Sequence, residues 1–316
     1  MTKAKVSKHS KKHHYVPQGI LRRFCFQNDT TWYLSRERFP GDPSPRNIGS
    51  IFCKRHFNSF QKEDGTKDDA VERFFGKEFD NYIPEWTAHL EVSQETNSPV
   101  AFGGAERRRF VQFFYNHMKR SPDFIEPIVA EATEETFAAE SIEKLERQVR
   151  PLTDEERSKF QSTDFQRRVA GNSRVENFSK QSVKILETIN EMSIALATPA
   201  RANKQFIVGS NPVARFEDYP RQHLSEPGVE LWTTLTPRLA VGFVHSSNVD
   251  NLRLSDHQVR KLNISIAKQS RAIASTSKEL LASLARVGWP TSPKAPDPEG
   301  GCENRARPGG RVGRDA

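Results

Sequence analysis

The chain has 316 residues, of which 35% are hydrophobic and 28% charged, the balance of a globular protein. No apolar run approaches the ~20 residues of a membrane span, no secretory signal is evident, and three cysteines do not make a disulfide framework, so we expect a reducing, cytoplasmic location. The net charge of +8 comes mainly from the ends: residues 1–12 hold five lysines and no acid, residues 290–316 add +1, and residues 13–289 keep only +2.

The two ends of the chain are expected to be disordered. Residues 1–12 form a basic arm, and residues 289–316 are rich in Pro, Gly and charge, with almost nothing to bury. Because lysines near phosphates release counterions, any affinity for nucleic acid should reside mainly in the arm. A plain solvated end is the alternative interpretation of such a charge run.

The first ordered segment begins at His13 and contains a short helix. Pro17 suits the first turn of a helix, where a missing N–H costs nothing. Ile20, Leu21 and Phe24 then share one face at helical spacing. The polar pair His14 and Tyr15 therefore lies where the chain enters a helix that is anchored in the core.

Strands and helices alternate after this segment. The pattern predicts a strand over 30–35, a loop over 40–45, short strands within 47–60 and a helix from about Asp69. An apolar helix should end before Ser121-Pro122, charged helices should cover 124–150 and 154–172, and an amphipathic helix should cover 179–198.

The C-terminal third changes to strands. Strands are expected over 205–208, 230–235, 239–244 and 271–275, with one helix capped by Asp256. The sequence thus predicts a single α+β domain over 13–288, in which a mixed or antiparallel sheet built from N- and C-terminal strands is covered by a helical middle of about 69–198.

Five polar residues are candidates for a site. His14 titrates near neutral pH and could act as an acid or base, while Tyr15 and Gln18 beside it could orient a substrate. Arg120 at a helix end could clamp a phosphate or carboxylate, and Asn211 could belong to a binding loop at a strand end. The structural alternatives are a histidine bonded to a nearby loop, an arginine that ties carbonyls together, and a plain turn.

A zinc site is the less favoured possibility. Cys25, Cys53, His56 and one of His13 or His14 are suitable ligand types, but they lack the two tight pairs that structural zinc usually shows. We therefore expect no bound metal, and the cofactor remains unknown. The sequence contains no Walker loop, dinucleotide fingerprint, nucleophile elbow or H-E-x-x-H motif.

Four short segments carry a family resemblance. They are residues 14–24 (HYVPQ followed by LRRF), residues 120–122 (RSP), residues 206–213 (FIVGSNPV) and residues 234–237 (TLTP). From His13 to about Ser275 the chain resembles the bacterial domain-of-unknown-function family numbered 4238, with Asn263 in a helix that matches the family's last. The resemblance implies a fold and supplies no activity.

This chain departs from the family pattern at two positions. Ser210 stands where the motif usually has Asp, and Thr234 stands where it has Pro. If that Asp serves as a metal ligand or base in relatives, this chain lacks it. Two functions stay open: a hydrolase or nuclease-like enzyme for phosphodiesters or nucleotides with His14 as acid or base, and a non-catalytic module that binds nucleic acid, nucleotide or a protein.

Overall fold

The computed structural model describes residues 11–131, 135–220, 222–246 and 251–289. Within these ranges the α-helices are α1 Gln18–Arg23, α2 Ala70–Glu78, α3 Ile83–Glu95, α4 Gly104–Lys119, α5 Pro122–Glu131, α6 Glu135–Gln148, α7 Asp154–Gln161, α8 Thr163–Ser179, α9 Val183–Glu191, α10 Asp256–Gln269 and α11 Lys278–Gly288. The strands are β1 Lys12–His14, β2 Thr30–Ser35, β3 Ser44–Asn47, β4 Cys53–Arg55, β5 Phe60–Gln61, β6 Lys67–Asp68, β7 Ser193–Pro199, β8 Val208–Gly209, β9 Val213–Phe216, β10 Glu230–Thr236, β11 Leu239–Val244, β12 Asn251–Leu254 and β13 Ala272–Ser275.

The fold is α+β, as the sequence predicts. A four-stranded antiparallel sheet, β3-β2-β13-β8, combines strands from both ends of the chain. A five-stranded sheet, β12-β7-β11-β10-β9, is mixed because β12 runs parallel to β7 while its other pairs are antiparallel. Two small ribbons, β1-β4 and β5-β6, complete the described strands. Strand β2 therefore joins the two ends of the chain by pairing with β13, whereas the other N-terminal strands pair with one another.

Two apolar clusters hold these layers together. The larger one joins α1, the aromatic faces of α2, α3 and α4, and one side of the five-stranded sheet. The smaller one lies between the sheets and helices α10 and α11. Ile20, Leu21 and Phe24 are fully buried, which confirms their predicted shared face. Pro17 precedes α1 as its N-cap residue rather than forming its first turn.

The expected helix over 179–198 is wrong in its second half. Helix α9 ends at Glu191, and Ser193–Pro199 is a strand between β11 and β12. Its residues 194–199 are buried, so the segment reads as a continuous apolar run. Such a run does not distinguish a buried strand from a buried helix, and Ile194 and Leu196 extended the apolar face predicted for the helix. Two smaller differences are that Ser255, not Asp256, caps α10 and that the strand expected over 205–208 is only Val208–Gly209.

The expected boundaries of the ordered domain also need correction. Lys12 belongs to β1 and pairs with Arg55, so this residue is not part of an unstructured arm. Trp289 is 2% exposed and donates its indole N–H to the carbonyls of Ala267 and Ser270 at 2.6 and 3.0 Å. The sequence places Trp289 beside a proline-rich tail and does not reveal its partners, because these lie at the end of α10. The rest of the predicted arm and tail, residues 1–10 and 290–316, lies outside the described residues.

We predict that Trp289→Ala lowers the free energy of unfolding by about 3–5 kcal/mol, because it empties a buried aromatic site. Val287→Ala on the same helix changes an exposed side chain and should cost less than about 1 kcal/mol. Urea denaturation followed by circular dichroism measures both. Equal midpoints for the two variants would contradict the assignment of Trp289 to the core.

Candidate functional site

The ribbon of β1 and β4 brings the N-terminal motif into the core. His14 lies opposite Cys53 in the antiparallel register, and the ladder continues as Tyr15 donates its N–H to the carbonyl of Phe52 at 3.0 Å. Val16 is fully buried. Backbone pairing on one side and burial on the other thus fix the direction of the Tyr15 side chain.

Arg120 is the most deeply buried charged residue of the predicted site. It is 1% exposed, and its guanidinium donates to both carboxylate oxygens of Asp80 at 2.7 and 3.2 Å and to the carbonyl of His14 at 2.6 Å. The cation also lies 4.5 Å above the ring of Phe75. Burial opposes the charge, yet Asp80 outweighs it and raises the pKa of Arg120. The two terminal nitrogens are therefore occupied by the protein itself, whereas Nε is buried and has no hydrogen-bond partner among the described residues.

His14 and Gln18 lie side by side next to this arginine. The Nε2 atom of His14 is 3.3 Å from the carbonyl of Ile48 and 3.3 Å from the side-chain amide nitrogen of Gln18. Burial is the main cause that lowers the pKa of His14, so the ring is neutral at pH 7. Among the described residues, the partners of the ring are Ile48, in the short 3-10 helix Ile48–Ser50, and Gln18 in α1.

The motifs around Ser121 and Ser210 meet directly. Ser121 donates its hydroxyl to the carbonyl of Ser210 at 2.8 Å. Ser210 donates its own hydroxyl to Asp123 and accepts the N–H of Ala272 at 3.0 Å. We call these contacts around Ser210 the Ser210 node. Gly209 comes directly before it, and a Cβ at position 209 would collide with Ser270 and Ile266. Segments some ninety residues apart in sequence thus share one hydrogen-bond network.

The family departure at Ser210 has a clear local consequence. Asp123 also accepts the backbone N–H of Arg271 at 3.0 Å and pairs with its guanidinium at 3.3 Å. A carboxylate at position 210 would face Asp123 and repel it unless a proton or cation lay between them. With serine, Asp123 receives a neutral donor instead, and the node is stable without such a cation.

Asn211 lies beyond this node and points elsewhere. Its N–H is donated to the hydroxyl of Ser270 at 3.1 Å, and its carbonyl accepts the side-chain amide of Gln269 at 3.0 Å. Its side-chain oxygen is buried and has no partner among the described residues. Helix α10 therefore holds Asn211 by its backbone, whereas Arg120 and His14 are held together by a different set of contacts.

A cleft of about 430 Å³ opens over Tyr15 and the Ser210 node. We call it the tyrosine cleft, and it is lined by Tyr15, Tyr33, Ser35, Glu37, Arg38, Arg46, Ser50, Ile51, Lys54, Pro122, Asp123, Ser210, Arg271 and Ala272. His14, Gln18, Arg120 and Asn211 are not among these described lining residues. Of the predicted site residues, Tyr15 alone reaches the cleft.

Two phenols dominate the inner wall of the tyrosine cleft. The rings of Tyr15 and Tyr33 pack edge-on against Phe52, with centroids 6.1 and 5.7 Å away. Burial raises the pKa of both phenols, so each remains a neutral O–H at pH 7. Neither hydroxyl has a hydrogen-bond partner among the described residues. The cleft therefore offers two unused donors on rigidly packed rings.

The cations of the tyrosine cleft fall into two groups. Lys54 and Arg271 both pair with Glu126, and the Arg271 contact is 2.6 Å. Arg38 and Arg46, in contrast, have no carboxylate within ion-pair distance in the described part of the chain. Sequence reasoning missed these two arginines because Arg38 lies in a short charged segment, the 3-10 helix Arg36–Arg38, and Arg46 is a single charge in a short strand. Only the pairing of β3 with β2 brings Arg46 close to Tyr33.

The zinc candidates do not gather around the cysteines. Cys25 and Cys53 are free thiols whose pKa is raised by burial. Among the described residues one group has metal-ligand proximity, and it combines His13 and His56 with Asp69. His13 accepts the backbone N–H of Asn58 on Nδ1 at 3.0 Å.

That acceptor role fixes the tautomer of neutral His13. Its Nε2 carries the proton and lies 3.6 Å from the Asp69 carboxylate. A nitrogen that bears a proton has no lone pair for a metal. In that tautomer His13 Nε2 cannot bind a metal, although it is buried without a hydrogen-bond partner among the described residues. The expectation of no bound zinc stays a prediction.

The fold and the cleft define an α+β protein with a cationic, tyrosine-lined cavity. Residues 12–279 match the family described as Protein of unknown function (DUF4238). Since this match covers most of the chain, the protein belongs to that family. Neither the curated proteins nor the solved structures include a significant match. No helix in the described ranges combines the length and apolar character required to cross a membrane.

We predict that Arg120→Lys lowers the free energy of unfolding by about 2–4 kcal/mol, because an ammonium cannot reproduce the forked contacts to Asp80 and the His14 carbonyl. Arg108→Lys, on the exposed face of the same helix, is the matched control and should be near neutral. Chemical denaturation of both variants checks this. An Arg120→Lys protein as stable as the control would show that these contacts do not hold the fold together.

His117, one helical turn before Arg120, generates a pH prediction. Both of its ring nitrogens are buried without partners, and burial, followed by the charge of Arg120, lowers its pKa from 6.5 to about 3. The unfolded chain therefore binds a proton below pH 6.5 that the folded protein refuses. Stability should fall as the pH decreases from 6.5 towards 3, by about 2 kcal/mol near pH 5 for this one group.

The variant His117→Leu should remove this part of the acid destabilisation. The exposed His257→Leu serves as the control and should keep the wild-type pH dependence. Unfolding free energies measured between pH 5 and 7 give the difference. Parallel curves for wild type and His117→Leu would be inconsistent with an unprotonated His117 in the folded state.

Proposed function

We propose that this protein binds a phosphate-bearing ligand of nucleotide size in the tyrosine cleft. One observation carries the proposal: the unused hydroxyls of Tyr15 and Tyr33 lie beside Arg38 and Arg46, two guanidinium groups without internal ion pairs. Tyr15 is buried, Tyr33 and Arg46 are half-buried and Arg38 is exposed, and donors without protein partners are suited to an incoming acceptor. These four groups are all donors, and the lining of the cleft holds four cationic side chains against two carboxylates, Glu37 and Asp123. This balance favours an anion over a cation or a neutral polar molecule.

The chemistry of the cleft favours phosphate as the anionic group. A guanidinium binds phosphate oxygens through two parallel N–H donors, and neutral phenols add further donors without electrostatic competition. Helix α5 begins at Pro122, which lines the same cleft, so the positive end of its dipole contributes in the same direction.

Size and apolar surface favour a nucleotide over a bare phosphate ion. A cleft of about 430 Å³ is in the range of ligand pockets that take small organic molecules. Ile51, Pro122 and Ala272 provide apolar wall for the part of the ligand that carries no charge. Such ligands are abundant in the bacterial cytoplasm, which is where we propose that the protein acts.

The hydrolase hypothesis with His14 as acid or base stays a second proposal. Its support is that the lowered pKa leaves His14 neutral and able to accept a proton, and that Tyr15, the next residue, lines the tyrosine cleft. Against it stand the partners that His14 already has, Ile48 and Gln18. The binding proposal does not need His14 to move, and we favour it for that reason.

The binding proposal is tested by calorimetric titration of the full chain with AMP, ATP and inorganic phosphate. We expect a nucleotide to bind more tightly than phosphate. Arg46→Gln should weaken nucleotide binding by about 10-fold or more, as loss of a charge-assisted hydrogen bond predicts. Tyr15→Phe, which removes only a neutral donor, should weaken it by about 2- to 10-fold.

Arg286→Gln, an exposed change on α11, is the matched control and should bind like wild type. Absence of nucleotide binding, or equal binding by Arg46→Gln and the control, would overturn the proposal. Product analysis after prolonged incubation addresses the second proposal. Turnover that disappears in His14→Ala, with binding retained, would favour the hydrolase instead.

A further inference from the structure

A second cationic cleft lies on the other side of strand β4. Lys54 lines the tyrosine cleft, whereas the next residue, Arg55, lines this second cavity of about 320 Å³. We call it the arginine cleft. It lies between helix α8 and strands β4 to β6, and its charged and imidazole side chains are those of Arg55, His56, Lys67, Arg167, Arg168 and Arg174. None of its described lining residues is an aspartate or glutamate.

The deepest of these cations is rigidly placed. Arg174 donates to the carbonyl of Phe57 at 2.7 Å, and its guanidinium lies 4.1 Å above the Phe57 ring. Its Nε is buried and has no hydrogen-bond partner among the described residues. Two residues earlier on α8, Asn172 exchanges two hydrogen bonds with the backbone of Gln61, at 2.8 and 2.9 Å. The helix and the β5 strand are thus held in register as the two walls of the arginine cleft.

The remaining cations are scarcely neutralised by the protein. Arg55 and Lys67 have no carboxylate within ion-pair distance in the part of the chain that the structure describes. Arg167 is 3.9 Å from Asp164, but both side chains are largely exposed, and such a pair contributes little. Five positive charges therefore converge with a single exposed ion pair among the described residues, and this arrangement favours an anion of high charge.

His56 adds a titratable group to the same wall. Its backbone adopts a positive φ of 54°, an uncommon conformation for a side chain of this size. Its Nδ1 lies 3.4 Å from the hydroxyl of Ser59, which donates to Asp69. Ser59 donates its hydroxyl proton to Asp69 and therefore accepts a hydrogen bond from His56 Nδ1. The Nε2 atom of His56 takes no part in these contacts.

We propose that the arginine cleft binds consecutive backbone phosphates of a single-stranded nucleic acid. A single phosphate ion has at most two negative charges and would leave most of the five cations unpaired. A nucleic-acid strand presents a regular series of fixed charges, each of which can pair with one cation. The cations come from both walls of the cleft, so they face a strand that runs between α8 and the small β-ribbons.

This site differs from the one that the sequence favours for nucleic acid. The arm was expected to carry any such affinity because residues 13–289 have a net charge of only +2. That near-neutral total conceals a local excess, since the acidic residues of the domain do not line the arginine cleft. The two locations make opposite predictions about which lysines and arginines release counterions on binding.

The experiment measures fluorescence anisotropy of a labelled oligodeoxythymidine bound to the full chain, over a range of salt concentrations. The cleft variant combines Arg55→Gln, Lys67→Gln and Arg167→Gln, none of which contacts the core. We expect it to flatten the slope of log K against log salt by about 2, because each lost phosphate contact on a single strand is worth about 0.7.

Two controls remove the same number of charges elsewhere. Deletion of residues 2–10 removes three lysines from the arm, and a surface variant combines Lys184→Gln, Arg253→Gln and Arg286→Gln. Both should change the slope by less than the cleft variant does. Thermal denaturation checks that all three proteins fold. A flatter slope of log K against log salt then reflects the loss of phosphate contacts.

Three results would overturn the proposal. The first is no binding of the oligonucleotide at low salt. The second is a cleft variant that behaves like the surface variant, with the arm deletion producing the loss. The third is competition by polyglutamate or inorganic phosphate that equals competition by unlabelled oligonucleotide, since either would show a general anion site rather than a site for a nucleic-acid strand.

Discussion

The buried charge of Arg120 is the constraint on which the N-terminal half depends. A guanidinium removed from water must find partners for its donors, because an unpaired buried charge costs several kcal/mol. Asp80 and the carbonyl of His14 accept from the two terminal nitrogens, and the ring of Phe75 lies against the cation. These partners come from the turn after α2, from β1 and from α2 itself. The same contacts therefore join three elements and hold the backbone that directs Tyr15 into the tyrosine cleft.

Both clefts are built around one short strand, β4, and each has a strained residue beside it. Phe52 has a φ of 49° and His56 a φ of 54°, conformations that cost about 1–3 kcal/mol each. At Phe52 the cost is offset by packing, since its ring supports both Tyr15 and Tyr33. Alternation along β4 then turns Lys54 and Arg55 to opposite sides. A three-residue strand thus separates two sites of similar charge but different character.

The charge of this protein is organised by tertiary structure rather than by composition. Glu126 compensates Lys54 and Arg271 in the tyrosine cleft, while the arginine cleft has no such carboxylate in its described lining. Asp123, which could have neutralised a further cation, is committed to the Ser210 node. The selective placement of carboxylates, more than the number of cations, decides which positive groups remain available to a ligand.

The sequence by itself determined the α+β class, the buried face of α1 and strands β10, β11 and β13, because apolar periodicity and breaker residues act locally. It also singled out Tyr15, whose position follows from the short motif around Pro17. The sequence did not predict strand β7, because an evenly buried run shows no hydrophobic periodicity. The sequence did not predict the clefts either. Arg46 and Arg174 line them only because strands and helices that are distant in sequence meet, and such pairing leaves no local signal.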